Sequence, residues 1–346
     1  MSKVLITGCA GFIGYHLAKR FLELGATVIG VDNLSRRGSK ANLQLLQSEH
    51  KSGFQFHKED IRNFPATERI FKTYAPLDLI VHEAAQVAVT TSIANPREDF
   101  EINALGTFNL LEATRLHSPM AFFEFASTNK VYGKMEDLGV VERNGRYEYV
   151  NLPHGVGEAY GLDFHSPYGC SKGTADQYVR DYSRIFGVRS VVLRQSCIYG
   201  TRQFGIEDQG WVAWFTIASV LGKPLTIYGD GKQGRDLLWI DDLVDAYVDL
   251  FRNADRVSGQ IFNVGGGSSN VLSLLELVAI LKDAGILRRE PAFSAWREGD
   301  QKIFLCDTRK MTGAIGWRPK VSPAQGVGKL IEWTLANKDL LSRMLA

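Results

Sequence analysis

The sequence predicts an α/β protein, a doubly wound parallel sheet joined to a smaller mixed α/β lobe. Short apolar runs near residues 3–7, 27–31, 53–56, 78–82, 121–125 and 189–194 alternate with helical patterns, and such a βα repeat makes a parallel sheet covered by helices on both faces. After Arg194 the alternation lapses into Gly/Asp turns at 229–234, a triple glycine at 265–267 and prolines at 291, 319 and 323, which marks the second lobe. With 346 residues, 45% hydrophobic and 23% charged, the chain can bury a core in each.

The first run, Val4-Leu5-Ile6, passes directly into Gly8-Cys9-Ala10-Gly11-Phe12-Ile13-Gly14. Strand, glycine turn and helix follow in the order that binds a dinucleotide: Gly8, Gly11 and Gly14 permit the tight turn and close backbone approach, while the helix N-terminus that Phe12 and Ile13 open offers free N–H groups to a pyrophosphate. The second run, Thr27 to Val31, ends in Asp32 with Asn33 behind it, eighteen residues after Gly14. A carboxylate there accepts hydrogen bonds from a ribose diol, which favours NAD. Arg36 and Arg37 keep NADP open as an alternative, although Asp32 would repel a 2′-phosphate. This is a Rossmann pattern, in which ligands lie outside the carboxyl ends of the strands.

Phe123-Glu124-Phe125 ends a later strand, and Ala126-Ser127-Thr128-Asn129-Lys130 follows, setting a hydroxyl at a strand end. Tyr168 and Lys172 stand four residues apart on a predicted helix and so share one face. A lysine cation beside a phenol favours the phenolate and helps make tyrosine a base. Tyr15/Lys19 and Tyr228/Lys232 have the same spacing, but one follows the glycine loop and the other lies in a Gly/Asp turn; both read as structural or surface pairs.

Farther on, Trp239-Ile240-Asp241-Asp242 opens a helix apolar enough to return to the sheet. The lobes are therefore expected to interweave, with residues 1–195 and about 237–264 binding NAD and residues about 196–236 and 265–346 binding the substrate. Ser273-Leu274-Leu275-Glu276 reads as a capping box, and the glycines before it as a structural turn. Gln209 to Gly222, 14 uncharged residues, is too short for a membrane helix and reads as a buried one.

A net charge of +2 without any basic block argues against nucleic acid as a partner. Residues 2–7 enter the first strand without a separate apolar secretion segment, so a cytoplasmic protein is expected. Four cysteines lack Cys-x-x-Cys or Cys/His pairing, so neither a disulfide framework nor a metal site is expected. Cys9, Cys170 and Cys197 nevertheless fall in candidate site segments, and alkylation is expected to inactivate the protein unless cofactor is bound.

The ordered set of glycine loop, Asp32, Thr128 and Tyr168/Lys172 resembles the extended short-chain dehydrogenase/reductase superfamily over nearly the whole chain. The resemblance implies that Tyr168 exchanges a proton with a sugar hydroxyl, Lys172 lowers its pKa and binds the nicotinamide ribose, and Thr128 orients the reacting oxygen. It further implies that Asp60 and Ile61 contact adenine, that Ala84 and Ala85 run beside the cofactor, and that Asn103 supports the active-site backbone within the cofactor-binding set. Gly229 to Asp236 and Trp296-Arg297-Glu298-Gly299-Asp300 resemble the nucleotide-sugar enzymes of this superfamily. Arg235 and Arg297 would clamp a diphosphate with planar N–H forks, and Asn129, Cys197 and Asp300 would complete the substrate set.

Sugar-nucleotide 4,6-dehydratases of the superfamily carry Thr-Asp-Glu where this chain has Thr128-Asn129-Lys130, so the acid and base for elimination are missing. The phrases Asn151 to Glu158, Arg194 to Gly200 and Asp208 to Phe215 resemble the CDP-hexose 2-epimerase branch. That implies a CDP-sugar substrate, with CDP-paratose and CDP-tyvelose as the pair and CDP-glucose and CDP-mannose as further candidates. The UDP-galactose 4-epimerase branch typically has asparagine at Cys197 and a shorter loop before Tyr168. A UDP-hexose 4-epimerase stays open as an alternative, as does a non-catalytic NAD-binding sensor or scaffold. The resemblance also implies a homodimer and a segment, 134–165, that closes over the sugar.

Overall fold

The computed structural model describes residues 1–207, 209–297 and 300–345. Asp208, Glu298 and Gly299, which belong to phrases singled out above, lie outside the described residues. The centre is a seven-stranded sheet: β1 (Lys3–Thr7), β2 (Thr27–Val31), β3 (Phe54–His57), β4 (Leu79–His82), β5 (Phe122–Thr128), β6 (Ser190–Gln195) and β7 (Ile261–Val264). Their order across the sheet is β7-β6-β5-β4-β1-β2-β3, and every pairing is parallel. This is the doubly wound Rossmann fold that the alternation predicts.

The strands read as unbroken apolar runs because both faces are covered. Successive side chains go to opposite sides: Val4 and Ile6 join the core beneath helices α1 (Phe12–Glu23) and α4 (Ile240–Arg252), while Leu5 joins the one beneath α2 (Gly106–His117) and α3 (Ser166–Phe186). β5 runs three residues past the expected end at 125, because its ladder with β6 continues to Thr128 opposite Gln195. Ser127 and Thr128 are therefore held on a strand. β7 lies just past the returning α4 and adds the outer strand beside β6.

The other lobe is built around Gly234–Trp239, which pairs with Cys197–Tyr199, Val271–Ser273 and Ile303–Phe304. Trp211–Leu221 is a helix with a buried face, in the stretch read as a buried helix. The capping box at Ser273 and Glu276 forms with both reciprocal bonds. The triple glycine is a structural turn: Gly267 N–H donates to the Asp236 carboxylate at 3.2 Å, and a Cβ on Gly265 would stand 2.2 Å from that carboxylate. Residues 134–165 include a hairpin, Val140–Arg143 with Arg146–Tyr149. It is pinned to the second lobe, with Tyr147 N–H donating to Lys232 O at 3.0 Å and Val156 N–H to Leu305 O at 2.8 Å.

Candidate active site

The order of the strands fixes where a ligand can lie. β1 and β4 sit side by side while the chain departs from them in opposite directions, so their following loops part and leave a crevice at the carboxyl ends. Gly8, with φ of +69°, turns the chain so tightly there that a Cβ would come 2.8 Å from the backbone nitrogen of Ala84. On α1 a Cβ at Gly14 would stand 2.1 Å from Gly8 O, so only glycine lets the helix begin this close to the loop. The resulting cleft is open to solvent along its mouth and has about 250 Å³ of interior space, close to the lower end of the roughly 300–1,000 Å³ of an ordinary small-ligand site.

Gly8, Gly11, Phe12, Ile13, Gly14, Asp32, Asn33, Asp60, Ile61, Ala84, Ala85, Tyr168 and Lys172 all line this one cleft. Asp32 follows β2 and Asp60 follows β3, on one side of the crevice; Ala126 and Ser127 of β5, Gln195 of β6 and Tyr168 lie on the other. Asp32 accepts hydrogen bonds from Ala10 N–H at 3.0 Å and Leu34 N–H at 2.7 Å, and burial raises its pKa against those two bonds. Asp60 is gripped by Arg62, 2.9 Å away, and by Asn33 at 3.0 Å; the Arg62 bond leads in holding its pKa down at about 2. Arg36 donates to Gln209, so this arginine bridges the two rims of the cleft.

Asn103 does not line the cleft. It is buried behind the wall, where its amide nitrogen donates to Gln86 O at 3.0 Å, Asp99 at 3.1 Å and Ser171 Oγ at 3.1 Å, and its oxygen accepts from Gln86 N–H at 2.9 Å. These bonds join the backbone after β4 to α3 immediately beside Lys172. Its place is that of a brace.

On α3, Tyr168 is buried, and desolvation lifts its phenol to about 12 against a hydrogen bond from Thr128 and with Asp99 adding to the rise. Lys172 donates to Ala126 O and its ammonium lies 4.3 Å from the centre of the Phe125 ring. Burial brings this lysine down to about 8, while Glu83, Asp176 and Asp99 pull it back up. Burial dominates the phenol in this arrangement, and the lysine ammonium is engaged with Ala126 O and the Phe125 ring. Ser127 donates to Asp176 at 2.7 Å, and Asp176 also pairs with Arg194 at 3.0 and 3.1 Å.

Toward the second lobe, Arg235 donates to Asp300 at 3.0 Å and Gln301 O at 2.8 Å. Lys130 reaches Gln301 at 3.4 Å, and burial, then Arg235, brings it down to about 8. Thr128 Oγ1 also lies 3.3 Å from the Asn129 side-chain oxygen. Cys197 is pushed up to about 12 by burial and is electrostatically coupled to Arg235. Arg297 stacks over Tyr228 at 3.9 Å and donates to Glu207 O at 3.4 Å. Tyr15 is buried with Arg202 over its ring, and Lys232 pairs with Glu142 at 2.8 Å, so both other Tyr/Lys pairs are structural.

Sequence reasoning missed Glu83, Gln195 and the 202–205 stretch, all of which line the cleft. Glu83 had one signal, a lone carboxylate between His82 and Ala84 at a strand end, and Gln195 stood within the phrase Arg194 to Gly200; Arg202-Gln203-Phe204-Gly205 had none.

The profile of the NAD dependent epimerase/dehydratase family matches residues 4–265. The chain belongs to that family, whose name states its cofactor. It is 47% identical to the CDP-paratose 2-epimerase of Salmonella typhi over 96% of this chain and 99% of that protein. The UDP-glucose 4-epimerase of Thermotoga maritima, solved with UDP-glucose, superposes with a TM-score of 0.83 at 30% identity, covering 98% and 99% of the two chains. A dTDP-glucose 4,6-dehydratase from Streptomyces venezuelae, solved with NAD bound, has a TM-score of 0.83 at 28% identity, each chain covered to 99%.

Proposed function

We propose that this chain is an NAD-dependent isomerase that inverts C2 of a CDP-hexose, with CDP-paratose and CDP-tyvelose as the substrate pair. The observation that carries this reading is the 47% identity to CDP-paratose 2-epimerase over nearly the full length of both chains, against 30% to the UDP-glucose 4-epimerase. The residues agree with it. Asn129 cannot ionise and Lys130 has no carboxylate, so the elimination chemistry of a dehydratase lacks its acid and base at this position.

The cofactor would lie along the cleft, with its adenosine ribose at Asp32 and its nicotinamide at the Tyr168 end. Bound NAD supplies a hydride acceptor that later serves as the donor. Tyr168 takes the proton of the C2 hydroxyl as the carbon is oxidised to a 2-keto sugar, and returns it after the sugar has turned its other face. Thr128 orients the reacting oxygen beside that phenol. Lys172, together with the positive charge of the oxidised nicotinamide, offsets the burial that holds the phenol protonated. Arg235 and Arg297 would exchange their present partners for diphosphate oxygens, and Asp300, Asn129 and Cys197 would flank the sugar. We assign residues 1–195 and about 237–264 to the NAD-binding lobe and the remainder to the nucleotide-sugar lobe.

We further propose a cytoplasmic homodimer. Phe108 on α2 and Tyr178, Ile185 and Phe186 on α3 are 37%, 46%, 67% and 53% exposed, an apolar face that a second copy would cover. Among the described residues no helix is long and apolar enough to cross a membrane.

The deciding experiment is NMR of the purified protein with CDP-paratose or CDP-glucose in D₂O, without added NAD. Inversion at C2 with H2 retained is expected. Exchange of H2 with solvent would point to deprotonation instead of hydride return, and absence of inversion would redirect the search to UDP-hexoses and C4.

A further inference from the structure

Three carboxyl and phenol groups that the mechanism above does not use meet under the Tyr168 end of the cleft. Glu83 follows β4 and forms part of the cleft wall. The Tyr247 hydroxyl, from α4, donates to Glu83 and accepts from the Gln195 amide at 2.8 Å. Glu124, inside β5, is fully buried, and among the described residues neither of its carboxyl oxygens has a hydrogen-bond partner. Lys172 stands close enough to act electrostatically on Glu83, and Glu83 on Lys172.

These groups divide the charge between them. A buried carboxylate without any donor is too costly to persist, so Glu124 stays a neutral acid; burial, reinforced by Glu83, raises its pKa well above the usual range. His82, held between Thr7 and Thr107 at 2.8 and 2.9 Å, stays neutral because burial lowers its pKa well below the ordinary value. Glu83 differs from both. Burial raises it to about 7, while the Tyr247 hydrogen bond and the Lys172 charge hold it from rising further. It can therefore carry a charge at the cleft wall near neutral pH.

We infer that Glu83 biases the bound cofactor toward its oxidised form, because its carboxylate attracts the cationic oxidised nicotinamide and has no such attraction for the neutral reduced ring. The inference rests on the cleft being the NAD site with the nicotinamide at the Tyr168 end. It gives the chain a property that an epimerase needs: each cycle must start from NAD⁺, and a carboxylate beside the ring opposes the protein's being stranded with NADH after loss of a keto intermediate.

The test is equilibrium exchange on the full-length protein. Protein is incubated with a fixed mixture of NAD⁺ and NADH, from about pH 5.5 to about pH 8.5 to bracket the Glu83 value of about 7, then desalted rapidly. The bound ratio is read from the near-ultraviolet absorbance of the reduced ring. As pH rises Glu83 ionises, so the bound NAD⁺:NADH ratio should rise, by about tenfold for one pKa unit of coupling. Glu83→Gln, which keeps size and an acceptor for Tyr247, should lose the rise centred near 7 and keep only the smaller rise that deprotonation of Lys172, brought down to about 8, gives at the alkaline end. Tyr247→Phe removes a donor to the carboxylate and should move the rise to higher pH without abolishing it, which supplies a reading independent of the Glu83 variant. A flat wild-type ratio, or a Glu83→Gln ratio that rises as the wild type does, overturns the inference. Failure to retain either nucleotide would instead overturn the cofactor reading beneath it.

Discussion

A phenol lifted to about 12 is a poor base until something nearby favours its anion, so the chemistry assigned to Tyr168 depends on what surrounds it. Tyr168→Phe removes the proton carrier and keeps the ring. It should lower turnover by about 10²–10⁴, the span of general acid–base catalysis, with the content of bound NAD unchanged as measured on the denatured protein. Cysteine labelling tests a second expectation. Cys9 is buried and Cys197 is pushed up to about 12 by burial, whereas Cys170 is exposed. A thiol reagent should label Cys170 first and leave Cys9 and Cys197 unmodified in the folded protein, by peptide mass mapping, so the expectation that alkylation inactivates unless cofactor is bound rests on Cys170 alone. Tyr168, Lys172, Asp32 and the glycines were legible because their chemistry is tied to fixed spacing next to strand ends. Glu83 was not, since a lone carboxylate has no period, and its partner Tyr247, with Gln195 behind it, comes from far along the chain.

α3 must hold Tyr168 and Lys172 against β5 to within hydrogen-bonding tolerance, and the fastening is a buried ion pair. Asp176 on α3 is fully buried, Arg194 on β6 is 2% exposed, and Ser127 of β5 donates to the same carboxylate. Asp176→Ala would leave Arg194 buried without its counter-ion, a loss of about 3–5 kcal/mol. Thermal unfolding should fall by roughly 10 °C, given about 2–4 °C per kcal/mol in chains above 150 residues. If the melting temperature stays within a degree or two, the pair does not hold the helix. The strands on either side were legible because burial on both faces writes a continuous apolar run. The pair was not, as eighteen residues and a loop separate its members. Asn103 is the same case: the sequence suggested a support, and only the fold shows that its bonds reach Gln86, Asp99 and Ser171 and stop short of the cleft.

Across the whole molecule, the sheet sets two groups of carboxyls against each other. Asp60, held near 2 by Arg62, lies below its unfolded value of about 3.9; its contribution is present above that value and is lost as pH falls through it toward 2. Glu124 works in the opposite sense. Phe122, Glu124 and Ala126 share one face of β5, and this position would ordinarily hold an apolar residue, as Phe122 does in the core beneath α1 and α4. Its folded pKa is raised, so the native state keeps a proton that the unfolded chain releases above about 4.3, and stability falls as pH rises from there. Glu83, raised to about 7, adds to the decline until pH passes that value. Buried His82, held well below the usual imidazole value, works against that decline, since it favours the folded state as pH rises toward about 6.5. Glu124→Leu removes two unpartnered buried oxygens and should stabilise the fold by about 1–3 kcal/mol. The gain should widen from about pH 5 to about pH 8, because the variant has lost the proton linkage that weakens the parent. Calorimetric scans of both proteins across that range provide the measurement. Parallel melting curves at every pH would mean that Glu124 has found a partner in solution, and a lower melting temperature for Glu124→Leu would mean that this partner matters more to the fold than the buried oxygens cost it.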